Sequence, residues 1–421
     1  MASKISKLNP ADFLKLEPAR ENKIKEAPYA ELKHESSYHP NQIAKALHPD
    51  VQRLVVSDIE VFSDDVKTYT LVADKESGTE NLAYFSAGQY LSIRLKVGDI
   101  EITRPYSISS CPKDALSGFY QLTIKRVEGG LASEYILDNW VKGTKVSVSA
   151  PQGTFTYERL RDAKTVIGVA GGSGITPFRA LAKSIANGDE DFSLILLYGS
   201  RTTADALFQD EFKAIEKATD KFKLINVFSE EKVDGEESGF ITAELIKKYA
   251  PEGNYSIFLC GPQAMYNFVD KEIETLGLRR KFIRHELFGE YRNPERIADY
   301  PQDNVGKTFN LTVSVCGVTK VVECKAEETM LTAMERGGIL APANCRSGEC
   351  GWCHSRLVSG NVYVPKRGDG RRLADLQFGY VHPCMTFALS DCELDVPPFK
   401  ALYRYKKRRT ARASRSFILI V

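Results

Sequence analysis

Four cysteines near the C-terminal end of the chain have a spacing that suits an iron–sulfur centre. They are Cys345, Cys350, Cys353 and Cys384. Gaps of four and two residues between the first three, followed by a distant fourth, match the spacing with which four thiolates hold a [2Fe–2S] cluster. Gly348 and Gly351 lie in this loop and allow backbone N–H groups to turn toward the cluster sulfides. The sequence therefore predicts a [2Fe–2S] centre held by these four ligands.

A structural zinc ion is the alternative for this cysteine set. Zinc also takes four thiolates, but zinc sites usually pair two short knuckles, and this spacing does not. Cys316, Cys324 and Cys392 are expected to be small buried hydrophobic residues without a ligand role. Nine cysteines in 421 residues are too few for a disulfide scaffold, and their clustering indicates metal binding in a reducing compartment.

Two further motifs suit a phosphate group and an aromatic ring. They are Arg104-Pro105-Tyr106-Ser107 at the end of a predicted strand, and Gly130 with Ser133 at the start of a predicted helix. An arginine fork and helix-terminal amides bind phosphate well, and a tyrosine ring can pack on an aromatic cofactor. Each motif alone is weak evidence. Together, and ahead of a nucleotide fold, they predict a site for a phosphorylated aromatic cofactor.

A glycine-rich loop follows the first strand of the predicted nucleotide fold. Its candidate binding residues are Gly171, Gly172, Gly174, Thr176 and Pro177. Such glycines let a pyrophosphate approach the N-terminus of the next helix, although Pro177 stands where the usual G-x-G-x-x-G form has its last glycine. A glycine-rich turn without a ligand is the alternative. Cys260, Gly261 and Pro262 end another strand at the same carboxyl edge, where ligands of such sheets bind.

Hydrophobic patterning divides the 421 residues into several domains. Short alternating runs up to Tyr157 predict an antiparallel β-barrel, and continuous apolar runs from Thr165 predict a doubly wound parallel α/β sheet. A hairpin over 309–324 and a short helix over 329–336 are predicted to begin a third unit. The predicted boundaries are an extension at 1–50, a barrel domain at 51–158, a parallel-sheet domain at 159–290, a linker at 291–307, a cluster domain at 308–398 and a basic tail at 399–421.

These motifs resemble known families. The loop from Cys345 to Cys353 and the segment 375–384 resemble plant-type ferredoxins, which implies an α+β β-grasp fold, one-electron transfer and cluster ligation by the four cysteines. The Arg-Pro-Tyr-Ser, Gly-Gly-Ser-Gly-Ile-Thr-Pro and Cys-Gly-Pro motifs resemble the ferredoxin–NADP reductase superfamily. With the cluster domain after them, the order over residues 51–398 is similar to the reductase components of ring-hydroxylating oxygenases.

The resemblance implies a role for each motif. Arg104, Pro105, Tyr106 and Ser107 would hold the phosphate and ring of FAD or, alternatively, FMN, and Gly130 and Ser133 its phosphate side. The dinucleotide would contact Gly171, Gly172, Gly174, Thr176 and Pro177, with Cys260, Gly261 and Pro262 at its nicotinamide edge. Ser107 and Cys260 would lie nearest the reacting rings. Arg201, after the second strand, is a candidate for a 2′-phosphate and leaves NADPH and NADH both open.

An electron-transfer function follows from the centres. Nicotinamide gives up two electrons as a hydride, the cluster takes one at a time, and a flavin passes between the two regimes. The expected enzyme transfers electrons from NAD(P)H through flavin and cluster to a separate protein, such as an oxygenase component. One alternative is a terminal reductase of ferric ion, free flavin or a small molecule. The alternative from another class is an iron–sulfur redox sensor.

Charge and hydropathy limit the partners. The net charge of +2 hides a tail whose basic residues have no acidic neighbour, so the rest of the chain is acidic and nucleic-acid binding is not expected. No run approaches the ~18 apolar residues of a membrane span, and the first residues lack the apolar stretch of a signal peptide. A cytoplasmic protein without a transmembrane segment is expected.

Overall fold

The structure, a computed structural model, describes residues 18–23, 25–26, 38–287, 293–366 and 369–398. The predicted basic tail at 399–421 and most of the predicted N-terminal extension lie outside the described residues. The described residues up to position 46 and those from position 47 onward belong to two separate units. Helix α1, His39–Leu47, buries none of its residues. The functional motifs all belong to the second unit.

The barrel domain is a six-stranded antiparallel sheet. Its elements are β1 (Gln52–Ser63), β2 (Val66–Ala73), β3 (Tyr90–Val97), β4 (Ile100–Ser107), α2 (Pro112–Leu116), β5 (Phe119–Lys125), α3 (Leu131–Asn139) and β6 (Lys145–Val148). The strand order is β4-β3-β6-β1-β2-β5, and an isolated bridge between Ile108 and Leu122 draws the two edges together. Alternating apolar residues point inward and build one core, which includes the buried Leu54, Tyr69 and Leu91. The predicted antiparallel barrel is confirmed.

The parallel-sheet domain follows. Its elements are β7 (Thr165–Gly171), α4 (Thr176–Ala186), β8 (Ser193–Ser200), α5 (Gln209–Ala218), β9 (Phe222–Phe228), β10 (Glu237–Ser238), α6 (Ala243–Tyr249), β11 (Ser256–Cys260), α7 (Gln263–Glu274) and β12 (Ile283–Glu286). The order is β10-β9-β8-β7-β11-β12, and all pairs are parallel. Every residue of β11 is buried, which is the reason for its continuous apolar sequence. This is the predicted doubly wound sheet.

The cluster domain contains a five-stranded mixed sheet and a two-stranded one. Its elements are β13 (Thr308–Val315), β14 (Val318–Lys325), α8 (Met330–Arg336), β15 (Ser355–Ser359), β16 (Val362–Tyr363), α9 (Leu373–Gln377), β17 (Tyr380–Val381), β18 (Phe387–Ala388) and β19 (Cys392–Val396). The larger sheet has the order β14-β13-β19-β15-β17, with β13 and β19 parallel. The predicted hairpin is β13–β14, and the predicted short helix is α8, capped by the Thr329 side chain.

The barrel and parallel-sheet domains share a hydrophobic core. Phe155 from the barrel domain packs against Phe178 and Phe258 of the parallel-sheet domain, with ring centroids 5.6 and 5.1 Å away. Tyr157 stacks on Phe192 at 4.2 Å. The buried apolar residues of the cluster domain, by contrast, form a separate cluster among the described residues. The two junctions of the barrel domain therefore differ in chemistry.

Candidate functional site

The four predicted cluster ligands come together in the cluster domain. Cys345, Cys353 and Cys384 are buried and Cys350 is partly exposed; none forms a disulfide. Cys324 and Cys392 are buried as expected, but the same expectation was wrong for Cys316, which is exposed. The sulfur atoms of Cys353 and Cys384 lie 3.4 Å apart. The backbone N–H groups of Ser347 and Cys350 both donate to Cys345 Sγ at 3.4 Å.

The loop conformation explains how these N–H groups reach the sulfur. Gly348 and Gly351 have φ angles of +83° and +69°, and the non-glycine Arg346 has +58°. The buried imidazole of His382 contacts the Gly348 carbonyl through Nδ1 at 2.7 Å and pins the loop from the Cys384 side. Four convergent thiols and N–H groups aimed at sulfur fit a [2Fe–2S] cluster. No group of three His, Cys, Asp or Glu side chains in the described ranges is arranged to hold a single metal ion.

The Arg-Pro-Tyr-Ser motif lies at the end of β4. The Ser107 hydroxyl is buried and has no hydrogen-bond partner in the part of the chain described, as expected of a group awaiting a ligand. Tyr106 packs against the barrel core, and burial raises the pKa of its phenol. Arg104 Nη1 donates to the Thr103 carbonyl at 2.7 Å and to Glu335 Oε2 at 3.3 Å. This contact with a carboxylate of the cluster domain was not predicted from the sequence.

Gly130 and Ser133 form the start of α3. Gly130 is the N-cap residue, and a Cβ there would lie 2.7 Å from the Val127 carbonyl, so the tight turn requires glycine. The Ser133 hydroxyl donates to the Gly130 carbonyl and accepts from the Val127 N–H. The motif therefore stabilises the turn that presents the first N–H groups of this helix. Together with Arg104 and the unpaired Ser107 hydroxyl, it fits a flavin with a phosphate group.

The glycine-rich loop and the Cys-Gly-Pro motif pack against each other. Strand β7 ends at Gly171, a 3-10 turn spans Gly172–Ile175, and α4 begins at Thr176 with Pro177 in its first turn. A Cβ on Gly174 would collide with the Cys260 carbonyl, and one on Gly171 with the Met265 sulfur. The glycines thus permit the close approach that brings both motifs to one edge of the sheet.

A cavity of about 480 Å³ opens beside these motifs. Gly171, Gly172 and Pro262 form part of its wall, and the aromatic residues Phe240 and Phe268 another part. Arg201 and Asp205 also line it, and they are joined by an ion pair of 3.0 Å. The cavity has the position expected for a dinucleotide outside the carboxyl ends of parallel strands.

Cys260 and Glu286 end adjacent strands. They are paired in register between β11 and β12, and both are buried. Burial, and next the Glu286 carboxyl, raise the pKa of the Cys260 thiol, which keeps its proton. Burial also raises the pKa of Glu286, with smaller contributions from Glu349 and Cys345 of the cluster loop. Glu286 was not predicted from the sequence, although its position at the end of a strand on the ligand edge was a usable signal.

Two buried arginines join the parallel-sheet domain to the barrel domain. Arg179 on α4 donates to Gln121 Oε1 at 2.9 Å and to Glu211 Oε2 at 2.5 Å. Arg284 on β12 donates to the Thr154 carbonyl of the barrel domain at 2.6 Å, and a bidentate pair with Asp162, at 3.0 and 2.5 Å, holds its side chain in place. Neither arginine was singled out from the sequence, because their partners are distant in the chain. These pairs hold the flavin and nucleotide motifs in a fixed relation.

The cluster loop also lies against the barrel domain. Burial raises the pKa of Tyr90 on β3, and the nearby thiols of Cys345 and Cys350 add to the rise. With the amide of Asn344 oriented to suit its neighbours, its oxygen accepts a hydrogen bond of 3.1 Å from Gln152 Nε2. The structure therefore brings the cluster ligands next to the barrel domain.

Comparison with known proteins gives three domain matches in this order. Residues 53–157 match the oxidoreductase FAD-binding domain, residues 169–271 the oxidoreductase NAD-binding domain, and residues 313–389 the 2Fe-2S iron-sulfur cluster binding domain. The chain therefore contains an FAD-binding, an NAD-binding and a [2Fe–2S] domain in this order, and it is an electron-transfer reductase. The reductase uses NAD(P)H, FAD and a [2Fe–2S] cluster, and the predicted fold class and enzyme class are confirmed.

The chain is similar to several oxygenase reductase components. It is 26% identical over 345 residues to a glycine betaine monooxygenase reductase subunit of Pseudomonas aeruginosa, covering 79% of this chain and 91% of that protein. It is 28% identical over 352 residues to the ferredoxin reductase component of 3-ketosteroid-9-alpha-monooxygenase of Mycolicibacterium smegmatis, covering 81% and 95%. The solved structure of phthalate dioxygenase reductase superposes with a TM-score of 0.60 at 23% identity, covering 83% and 98%, and shows the same fold. No helix in the described part of the reductase is long and apolar enough to cross a membrane.

Proposed function

We propose that this reductase is the electron-supplying component of an oxygenase system, and that its acceptor is a separate oxygenase protein. The observation that carries the proposal is a series of three sites: the cavity lined by Pro262, the Ser107 edge of the barrel, and the cluster loop near Tyr90. Relatives named as monooxygenase reductase components support an oxygenase as the acceptor.

The motif residues are proposed to divide the binding work as follows. Cys345, Cys350, Cys353 and Cys384 ligate the cluster; Arg104, Pro105, Tyr106, Ser107, Gly130 and Ser133 hold FAD; Gly171, Gly172, Gly174, Thr176, Pro177, Arg201, Cys260, Gly261 and Pro262 hold the dinucleotide. We also propose the domain boundaries predicted from the sequence, which are 51–158 for the barrel domain, 159–290 for the parallel-sheet domain and 308–398 for the cluster domain. A cytoplasmic location is proposed with them.

The residues of the chain are proposed to position the flavin and the nicotinamide and to keep water away from them. The FAD that these residues would hold would supply the chemistry that converts a two-electron hydride into single electrons. The Ser107 hydroxyl, which is buried without a protein partner, can donate to the bound ring. The Cys260 thiol stays protonated, because burial raises its pKa, and it offers a neutral wall to the nicotinamide. The buried Arg179 and Arg284 fix the two sites relative to each other, which supplies the alignment that such a transfer requires.

Anaerobic reduction of the purified reductase tests this function. We expect one FAD and one [2Fe–2S] cluster per chain, and nucleotide addition should bleach the flavin first and then the cluster. The reduced enzyme should then reduce a one-electron protein acceptor. Preferential turnover of ferric ion or free flavin would favour a terminal reductase, and a reducible cluster without nucleotide turnover would favour a sensor. Zinc in place of iron and sulfide would refute the cluster assignment.

A further inference from the structure

A buried charged group joins the cluster domain to the barrel domain. The Glu335 carboxylate, at the end of α8, accepts hydrogen bonds from Arg346 Nη1 at 2.6 Å and from Arg104 Nη1 at 3.3 Å. The Arg346 side chain is fully buried, and that of Glu335 is 7% exposed. Arg346 follows the cluster ligand Cys345, whereas Arg104 begins the flavin motif. One carboxylate therefore touches the residues beside both redox sites.

The side chains of Glu335 and Arg346 also form hydrogen bonds with the backbone of an edge strand. Strand β4 is the outermost strand of the barrel sheet, so some of its backbone groups have no neighbouring strand. The Thr103 N–H donates to Glu335 Oε1 at 3.4 Å, and the Thr103 carbonyl accepts from Arg346 Nη1 at 3.4 Å. Glu335 thus pairs with the backbone N–H of Thr103, and Arg346 pairs with its carbonyl.

Burial makes this arrangement specific to one docked geometry. A buried ion pair contributes little net stability, but losing one partner leaves a buried charge without compensation. Arg346 is held inside its own domain by Glu335 and Thr332, and it donates to the barrel domain at the Thr103 carbonyl. If the cluster domain took another position, it would lose its hydrogen bonds with Thr103 and with Arg104 together. The contact therefore favours a single docked position of the cluster loop on the barrel domain.

We propose that Glu335 and Arg346 form a docking clamp on Thr103 of β4, which seats the cluster domain for electron transfer from the flavin. The proposal rests on the proposed function, because it assumes transfer from flavin to cluster within one chain. In it Glu335 is a positioning residue: it touches neither the reacting rings nor the cluster, and it acts through the distance between them. The clamp differs from the flavin and cluster ligands, since its removal leaves both cofactor sites complete.

The test compares Glu335→Gln with Glu328→Gln in protein loaded with both cofactors. Glu328 is a matched control, because it pairs with Arg336 at 2.6 Å within the cluster domain and does not contact the barrel domain in the bonds described. We expect Glu335→Gln to leave flavin reduction by the nucleotide within twofold of wild type. The following reduction of the cluster should slow at least tenfold. Glu328→Gln should change neither rate.

Amide hydrogen exchange resolved to Thr103 is the second measurement, and it does not depend on turnover. Glutamine keeps an acceptor oxygen but loses the charge that pairs Arg346 and Arg104, so the cluster domain should leave Thr103 more often. Exchange of the Thr103 N–H should therefore be at least tenfold faster in Glu335→Gln and unchanged in Glu328→Gln. Protection of β13 and β19 should be the same in all three proteins. Unchanged Thr103 exchange, or faster exchange without slower cluster reduction, would overturn the proposal.

General loosening would also overturn it: faster exchange throughout β13 and β19 would make Glu335 merely structural. Failure of the proposed function would give a different result, because the cluster of the wild-type protein would then stay oxidised after the flavin is reduced. The two failures are therefore distinguishable in the same experiment.

Discussion

The barrel domain meets its two neighbours through different chemistry. Toward the parallel-sheet domain it contributes Phe155 and Tyr157 to a continuous apolar core. Toward the cluster domain it offers the backbone of Thr103 and the guanidinium of Arg104 to one carboxylate. Apolar burial favours folding as a unit, whereas a polar interface favours domains that can separate.

The difference matches what each junction must do. Hydride transfer requires aligned rings at close contact, and a rigid shared core supplies this alignment. A one-electron transfer tolerates a junction that opens, and an acceptor protein must also reach the cluster. We infer that the nucleotide and flavin sites form one rigid half of the reductase, while the cluster domain is a separable half.

The largest effect is expected from removing a cluster ligand. Cys350 is the most exposed of the four cysteines, so Cys350→Ser should disturb the fold least. We expect at least a hundredfold loss of transfer to one-electron protein acceptors, because the cluster site is incomplete. Reduction of the flavin by nucleotide should stay within about twofold of wild type in stopped-flow measurements. Equal slowing of both steps would contradict the division into two halves.

Phe155→Ala should break the shared core. The ring is buried between Phe178 and Phe258, and truncating such a residue typically costs ~3–5 kcal/mol in the free energy of unfolding. Because the core is shared, urea unfolding should shift for the barrel and parallel-sheet domains together. Phe378→Ala, at a side chain that is 64% exposed, is the control and should change stability by less than about 0.5 kcal/mol. Separate transitions for the two domains would show that they are not one unit.

The smallest effect is expected at Arg201, on the rigid side. If its guanidinium holds a 2′-phosphate, the charge-assisted contact contributes roughly 1.5–3 kcal/mol, so Arg201→Ala should lower kcat/KM for NADPH about tenfold to a hundredfold. The value for NADH should hardly change. Arg159→Ala, at an exposed arginine outside the lining of the cavity, is the control. Equal losses for both donors would assign Arg201 to its observed pair with Asp205 instead.

Local chemistry explains which features were predictable. The cysteine spacing, the glycine loop and the alternation of β2 depend on neighbouring residues, so the sequence was sufficient for the fold class and for the motifs. Glu335 has no such signal: it lies 231 positions from its partner Arg104, and only the folded chain brings them together. Glu286 is intermediate, since its strand was not predicted but its edge of the sheet was. The cluster loop combines both cases. Its ligands can be predicted from the cysteine spacing, but its contact with Thr103 cannot.

The position of Thr103 on an outermost strand has a consequence for solution behaviour. While the cluster domain is seated, the outward N–H and carbonyl of this residue are occupied by side chains. When the domain lifts away, the carbonyl keeps its bond to Arg104, but the N–H becomes available to the edge strand of a second molecule, the first step of strand-to-strand aggregation. Concentrated samples that lack a stable cluster domain should therefore become turbid sooner than the complete reductase, and the clamp would protect solubility as well as electron flow.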